Sequence, residues 1–205
     1  MTEVKPGGSV IVQNHLPCGR CRSCLQGKTS TCSSIQTYMN DRSALAEYLT
    51  VKQNMVVPFS GLNYTGAVVA EPLTVAFDIT REAQVQPFQR VLVSGPGIIG
   101  LFCTVLLKMG GAEPVVVLGR MLSSARGEKR AEAAVATGAS QVFDTEEQDR
   151  IERVQEQYPE GFERIIVTSP PVQIESIRKV AHFHYLRLLS QTARPTNMYL
   201  SGVSQ

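Results

Sequence analysis

Arg90-Val91-Leu92-Val93-Ser94-Gly95-Pro96-Gly97-Ile98-Ile99-Gly100 sets a short apolar run against a G-x-G-x-x-G pattern. An apolar helix-forming stretch, 101–109, follows at once. A buried strand, a tight turn and a buried helix are what such a run encodes. Gly95 allows the turn, Gly97 leaves the backbone open to a neighbouring group, and Gly100 lets helix and strand approach closely. The unpaired N–H groups at a helix start attract anions, so the pattern implies a dinucleotide pyrophosphate over Gly95, Pro96, Gly97, Ile98, Ile99 and Gly100. A plain strand–turn–helix would carry the same residues.

Outward from this stretch, strands alternate with helices, which predicts an α/β fold with a parallel sheet of about five strands. The expected strands are 90–93, 114–118, 141–143, 164–168 and 197–201. Helices are expected over 128–137, stopping at Gly138, and from 173 to about 192. Thr145 with Gln148 has the form of a capping box ahead of Ile151, Val154 and Tyr158, which fall on one helical face.

The second expected strand ends in Gly119-Arg120, where a carboxylate would grip a ribose 2′-hydroxyl. A missing acid beside an arginine favours a 2′-phosphate, hence NADP over NAD. Arg126, Lys129 and Arg130 stand downstream, either as helpers or as solvated charges.

Towards the N-terminus the composition changes. Residues 1–72 are rich in Gly, Ser, Thr and short apolar runs, with a strand expected at Ser9-Val10-Ile11-Val12, one or two more within 46–57, and no long helix. Four of the five cysteines lie here, spaced Cys18-x2-Cys21-x2-Cys24-x7-Cys32. Two-residue spacings wrap three sulfurs around one ion, and a longer arm returns the fourth. Four protein ligands fill a zinc tetrahedron, so the site is read as structural rather than catalytic. Buried or redox cysteines and an iron–sulfur cluster are the alternatives. Gly19 and Gly27 give the loop freedom, and Arg20, Arg22 and Lys28 offset its negative charge. His15 is adjacent but reads as an ordinary residue, as do His182 and His184.

A net charge of +2, no Trp and 6% aromatic residues argue against a nucleic-acid partner. The longest apolar stretch is broken by Ser94-Gly95-Pro96-Gly97, which argues against a membrane span. With no secretory pattern at Met1, the cytoplasm is the expected compartment.

In this order, the two motifs resemble those of the zinc-containing medium-chain dehydrogenase/reductase family. The similar stretches are 16–32 (LPCGRCRSCLQGKTSTC), 44–58 (ALAEYLTVKQNMVVP), 68–80 (VVAEPLTVAFDIT) and 90–120. The resemblance implies a partial GroES-like catalytic domain over 1–72 and a Rossmann domain over 73–205 lacking its last strand. It also implies hydride transfer between a small alcohol or polyol and a nicotinamide dinucleotide. The family's catalytic zinc takes a Cys and a His from a region before the zinc lobe. This chain opens at Met1-Thr2-Glu3-Val4, where that region would have ended, so both ligands are expected to be missing. Glu71 matches a family position that contacts the catalytic zinc or its water. The expected chain is thus shortened at both ends, association-prone or homo-oligomeric, with uncertain turnover. A catalytically inactive NADP-binding remnant or sensor and a zinc-ribbon-like interaction module are the alternatives.

Overall fold

The computed structural model describes residues 4–37, 46–146 and 149–169. Two compact units result, Met1–Glu71 and Pro72–Gln205. The first has little core. Strand β1 (Val10–Val12) pairs antiparallel with β4 (Val56–Pro58), and β2 (His15–Leu16) with β3 (Gln36–Thr37). Between β2 and β3 lies a one-turn helix, α1 (Arg22–Leu25). Of the stretch 46–57, only Val56 and Val57 join a strand; Gln53–Met55 is a 3-10 turn whose Met55 is buried. A second short helix, α2 (Tyr64–Ala67), begins at Asn63, whose side chain accepts from the Gly66 N–H.

The helix α3 (Ala70–Ala83) was not expected from the sequence. Pro72 fits its first turn, where an N–H is unpaired anyway. Ala76, Ile79 and Ala83 recur at helical spacing and are buried.

The second unit is built on a parallel sheet in the order β7-β6-β5-β8. The strands are β5 (Val91–Ser94), β6 (Val115–Gly119), β7 (Gln141–Asp144) and β8 (Arg164–Val167). Each lies within about a residue of its expected place. Helices α4 (Ile98–Met109), α5 (Ala125–Ala136) and α6 (Arg150–Gln157) connect them in turn. The fifth expected strand, 197–201, and the helix from 173 to 192 with His182 and His184 lie outside the described residues.

Side chains alternate across the sheet, as a strand's two-residue period requires. Val91, Val93, Val115, Val117 and Ile166 pack with Ile79 of α3, Cys103 of α4 and Ala134 of α5. Leu92, Val116, Leu118, Ile165 and Val167 pack on the other face with Phe143, Val154 and Phe162. Burial on both faces is why these strands read as continuous apolar runs.

The helix start differs from the expected one: Thr145 lies five residues before Arg150, is buried, and its N–H bonds to the Gly119 carbonyl at 2.6 Å, extending the β6–β7 pairing. The helix starts at Arg150 after Asp149, whose side chain makes no capping bond. Gln148 lies outside the described residues, and Tyr158 follows the last turn rather than riding on the helix.

Candidate functional site

In the first unit the four cysteine sulfurs of Cys18, Cys21, Cys24 and Cys32 all lie within 4.8 Å of one another. Sγ of Cys18 is 4.0 Å from that of Cys24, and Sγ of Cys21 is 3.9 Å from that of Cys32. A tetrahedral zinc with Zn–S bonds of about 2.3 Å needs sulfurs about 3.8 Å apart. The lobe fits the ion. The turn of α1 carries Cys24 and starts just after Cys21, and the 3-10 turn Thr29–Thr31 delivers Cys32. Backbone N–H groups of Cys18 and Ser34 donate to the Cys32 sulfur at 3.3 and 3.4 Å, as they would to a thiolate.

The surroundings split the thiols. Backbone N–H donors at Cys24 and Ser33 pull Cys21 down to about 5, and those at Arg20 and Cys21 also lower Cys18. Withdrawal from water, then the neighbouring Cys21 thiol, pushes Cys24 up to about 12. Four sulfurs this close cannot all ionise without a cation, and zinc supplies two positive charges. His15 sits in β2 and is exposed, outside the cluster. The fifth cysteine, Cys103, is fully buried in α4 and its thiol is pushed to about 12 by burial, so it belongs to the core.

At the C-terminal edge of the sheet the glycine turn links β5 to α4. Gly95 continues the pairing through its N–H to Leu118 O at 2.8 Å, then turns with φ of 105°. A Cβ there would meet Thr168 Oγ1 at 2.9 Å and Ser169 N at 3.0 Å. At Gly100 a Cβ would stand 1.9 Å from the Gly95 carbonyl oxygen, so helix and turn touch through bare backbone. Gly97 differs. It is exposed, and a Cβ there would find nothing within 4 Å.

Gly97 is also the residue that caps α4, and it has no side chain to do so. The N–H groups of Ile98, Ile99 and Gly100 find no acceptor among the described residues; the first intrahelical bond is Leu101 N–H to Gly97 O at 2.9 Å. By contrast, Ser124 closes the start of α5 by accepting from Gly127 N–H at 3.1 Å. The start of α4 is thus more open to an acceptor than that of α5, where one N–H is taken by the cap. Pro96 is buried and walls the turn. Its Cγ would lie 2.9 Å from a Cβ on Gly119, and Leu122 Cδ2 would lie 2.6 Å from it. The strand order reverses between β5 and β8, which makes the crevice at their C-terminal ends the expected ligand position.

Arg120 follows the end of β6, exposed, with Nε 3.8 Å from Glu146 Oε1. Sequence reasoning missed three side chains here. Thr168 donates to both Ser94 O and Gly95 O, at 3.0 and 2.9 Å, and so locks the turn to β8. Asp144 accepts from Leu122 N–H at 2.6 Å and Glu146 N–H at 3.0 Å. Glu146 faces Arg120. All three stand at or just past the ends of parallel strands, which is the signal that would have found them. Glu71 lies in the first turn of α3, exposed, with its Oε1 3.3 Å from the Asn14 amide that donates to it. Among the described residues, the four cysteines are the one grouping of three or more metal-ligand side chains.

The Alcohol dehydrogenase GroES-like domain family matches residues 1–61. The zinc-type alcohol dehydrogenase-like protein YdjJ of Escherichia coli is 32% identical over 157 residues, or 74% of this chain and 43% of its own length. The chain belongs to the zinc-containing medium-chain dehydrogenase/reductase family. Sorbitol dehydrogenase of Bacillus subtilis, another relative within this dehydrogenase family, is 28% identical over 156 residues, covering 74% of this chain and 42% of that enzyme. A solved Escherichia coli oxidoreductase/dehydrogenase of unknown specificity superposes with a TM-score of 0.78 at 26% identity, over 88% of this chain and 52% of that one. The chain thus spans less than half the length of the medium-chain dehydrogenases it matches by sequence. Its fold is α/β, with a GroES-like β unit preceding a Rossmann unit. No helix among the described residues is long and apolar enough to cross a membrane.

Proposed function

We propose that this chain serves an NAD(P)-dependent dehydrogenase acting on small alcohols or polyols. The reading rests on one observation: the start of α4, left open by Gly97, follows β5 in the same chain as a four-cysteine lobe of zinc dimensions. The named activities of the matched relatives, sorbitol dehydrogenase among them, support the substrate class. When bound, the nicotinamide supplies the hydride acceptor or donor. The chain's own part is to hold the pyrophosphate on the N–H groups of Ile98, Ile99 and Gly100 and to admit it over Gly97. Gly119 and Arg120 border the ribose. Arg120, standing where an acid would bind a 2′-hydroxyl, supports NADP over NAD.

Glu71 is the proposed contact to a catalytic metal or its water. One carboxylate does not hold zinc, which takes three protein ligands in a catalytic site. The other ligands would come from a further segment or a partner subunit. A nucleotide binder without turnover is the second reading, and Glu71's engagement with Asn14 favours it. Exposed Leu25, Tyr48, Leu62, Tyr64 and Val68 in the first unit support self-association. Reduced thiols in the lobe suit the cytoplasm.

The test is NADH and NADPH binding by nicotinamide fluorescence, with turnover on sorbitol, xylitol and simple alcohols. Binding with polyol turnover is expected. Binding without turnover on any alcohol would select the second reading, and failure to bind either nucleotide would overturn both.

A further inference from the structure

We propose that Glu146 sets the cofactor preference by competing with a 2′-phosphate for Arg120. This deepens the dinucleotide reading above and rests on it. Arg120 stands one residue past β6, and Glu146 two residues past β7, with Nε and Oε1 3.8 Å apart. Strands β6 and β7 are adjacent and in register, Gly119 opposite Asp144. Asp144 fixes the arrangement. One of its oxygens accepts the Leu122 N–H of the loop carrying Arg120, and the other accepts the N–H of Glu146 itself. Engaged on both sides, Asp144 is a positioning residue that holds the two loops in place. Among the described residues, Glu146 is the carboxylate paired with Arg120.

The consequence is a balance. A 2′-phosphate gains Arg120 only by displacing Glu146, and then lies close to its negative charge. A 2′-hydroxyl meets no such repulsion. The pair therefore moderates the NADP preference that Arg120 alone would give, and the chain accepts both cofactors. Both side chains are more than half exposed, at 65% and 53%, so the effect is modest and screened by salt. A charge about 6 Å from a phosphate in water-like surroundings changes affinity by roughly three- to tenfold.

The experiment measures NADPH and NADH dissociation constants by nicotinamide fluorescence on the full zinc-loaded chain. Wild type, Glu146→Gln, Arg120→Ala and the double variant are compared at low salt and at about 1 M salt. Glu146→Gln is expected to tighten NADPH roughly three- to tenfold and to leave NADH within about twofold. The gain should shrink at high salt, and it should be smaller in the Arg120→Ala background, where competition for Arg120 is gone and only the direct repulsion between Glu146 and the phosphate remains. Equal tightening of both nucleotides, or an unchanged ratio, would overturn the proposal. Weakened NADH in Glu146→Gln would also overturn it, by making Glu146 a ribose acceptor. If the wild type binds neither nucleotide, the dinucleotide reading itself fails and takes this inference with it.

Discussion

Gly97→Ala and Gly100→Ala are expected to have opposite consequences, although the two residues lie three apart in one motif. At Gly100 the new methyl carbon would stand 1.9 Å from the Gly95 carbonyl oxygen and 2.9 Å from Thr168 Oγ1. The carbonyl belongs to backbone pinned by the Gly95 N–H bond to Leu118 O and by Thr168. Helix α4 would have to withdraw from the turn by more than an ångström, disturbing its packing through Ile99 and Cys103. Overpacking of this kind costs about 1–3 kcal/mol, or roughly a fivefold to 150-fold shift in the unfolding equilibrium. At Gly97 the methyl group meets nothing within 4 Å, and φ of −88° with ψ of −179° suits alanine, so only the ordinary loss of replacing a glycine N-cap by alanine, about 1 kcal/mol or less, is expected. Nucleotide affinity should nonetheless fall about tenfold, because the methyl group stands where the pyrophosphate approaches the backbone. Urea denaturation followed by far-UV circular dichroism gives the first quantity, and nicotinamide fluorescence the second. Equal destabilisation by both substitutions would refute the geometry. Undiminished binding by the Gly97 variant would refute the placement of the pyrophosphate.

Three further outcomes are expected. Zinc analysis of the purified chain should give about one zinc per chain, and Cys32→Ser should abolish it; two zinc ions per chain would mean that a second site exists. Asp144→Ala, which frees the Leu122 and Glu146 N–H groups, should cost about 1–3 kcal/mol in urea denaturation, and an unchanged midpoint would show these bonds to be replaceable by water. Glu163 grips Arg90 through both carboxylate oxygens and also accepts the Arg90 backbone N–H at 2.8 Å. Burial works to raise its carboxyl, but the side-chain and backbone bonds from Arg90 outweigh this and hold it below the usual carboxylate value of 4.5. A lowered carboxyl stabilises the fold above that value and loses its contribution as pH falls below it. Glu163→Gln should therefore be less stable than wild type at pH 7, and the gap should narrow by pH 4; a gap that is constant with pH would count against the pair.

What the sequence disclosed depended on how local each signal was. The β5 run, its glycines and α4 are fixed by neighbouring residues, so the turn was legible nearly to the residue. The four cysteines carry their geometry in their spacing, and the sulfurs do converge. Helix α3 was not expected, although Ala76, Ile79 and Ala83 hold the helical period. Thr145 gave the start of α6 too early because its backbone still belongs to the β6–β7 pairing, through its N–H to Gly119. The residues flanking the proposed nucleotide site, Asp144, Glu146 and Thr168, carry no motif. They become visible only when the strand order brings their ends to one edge.

The crowding at Gly119 has a bearing on how this chain could be re-engineered. An acidic residue at the tip of β6 is the obvious change for turning a phosphate-accepting nucleotide fold towards NAD. Gly119 cannot take that change cheaply, because its first side-chain carbon would strike Leu122 and Pro96, the latter within the glycine turn. Any alteration there would be transmitted to the turn between β5 and α4. Selection, natural or in the laboratory, is thereby steered away from this strand tip and towards the exposed side chains around it, where charge can change while the turn keeps its shape.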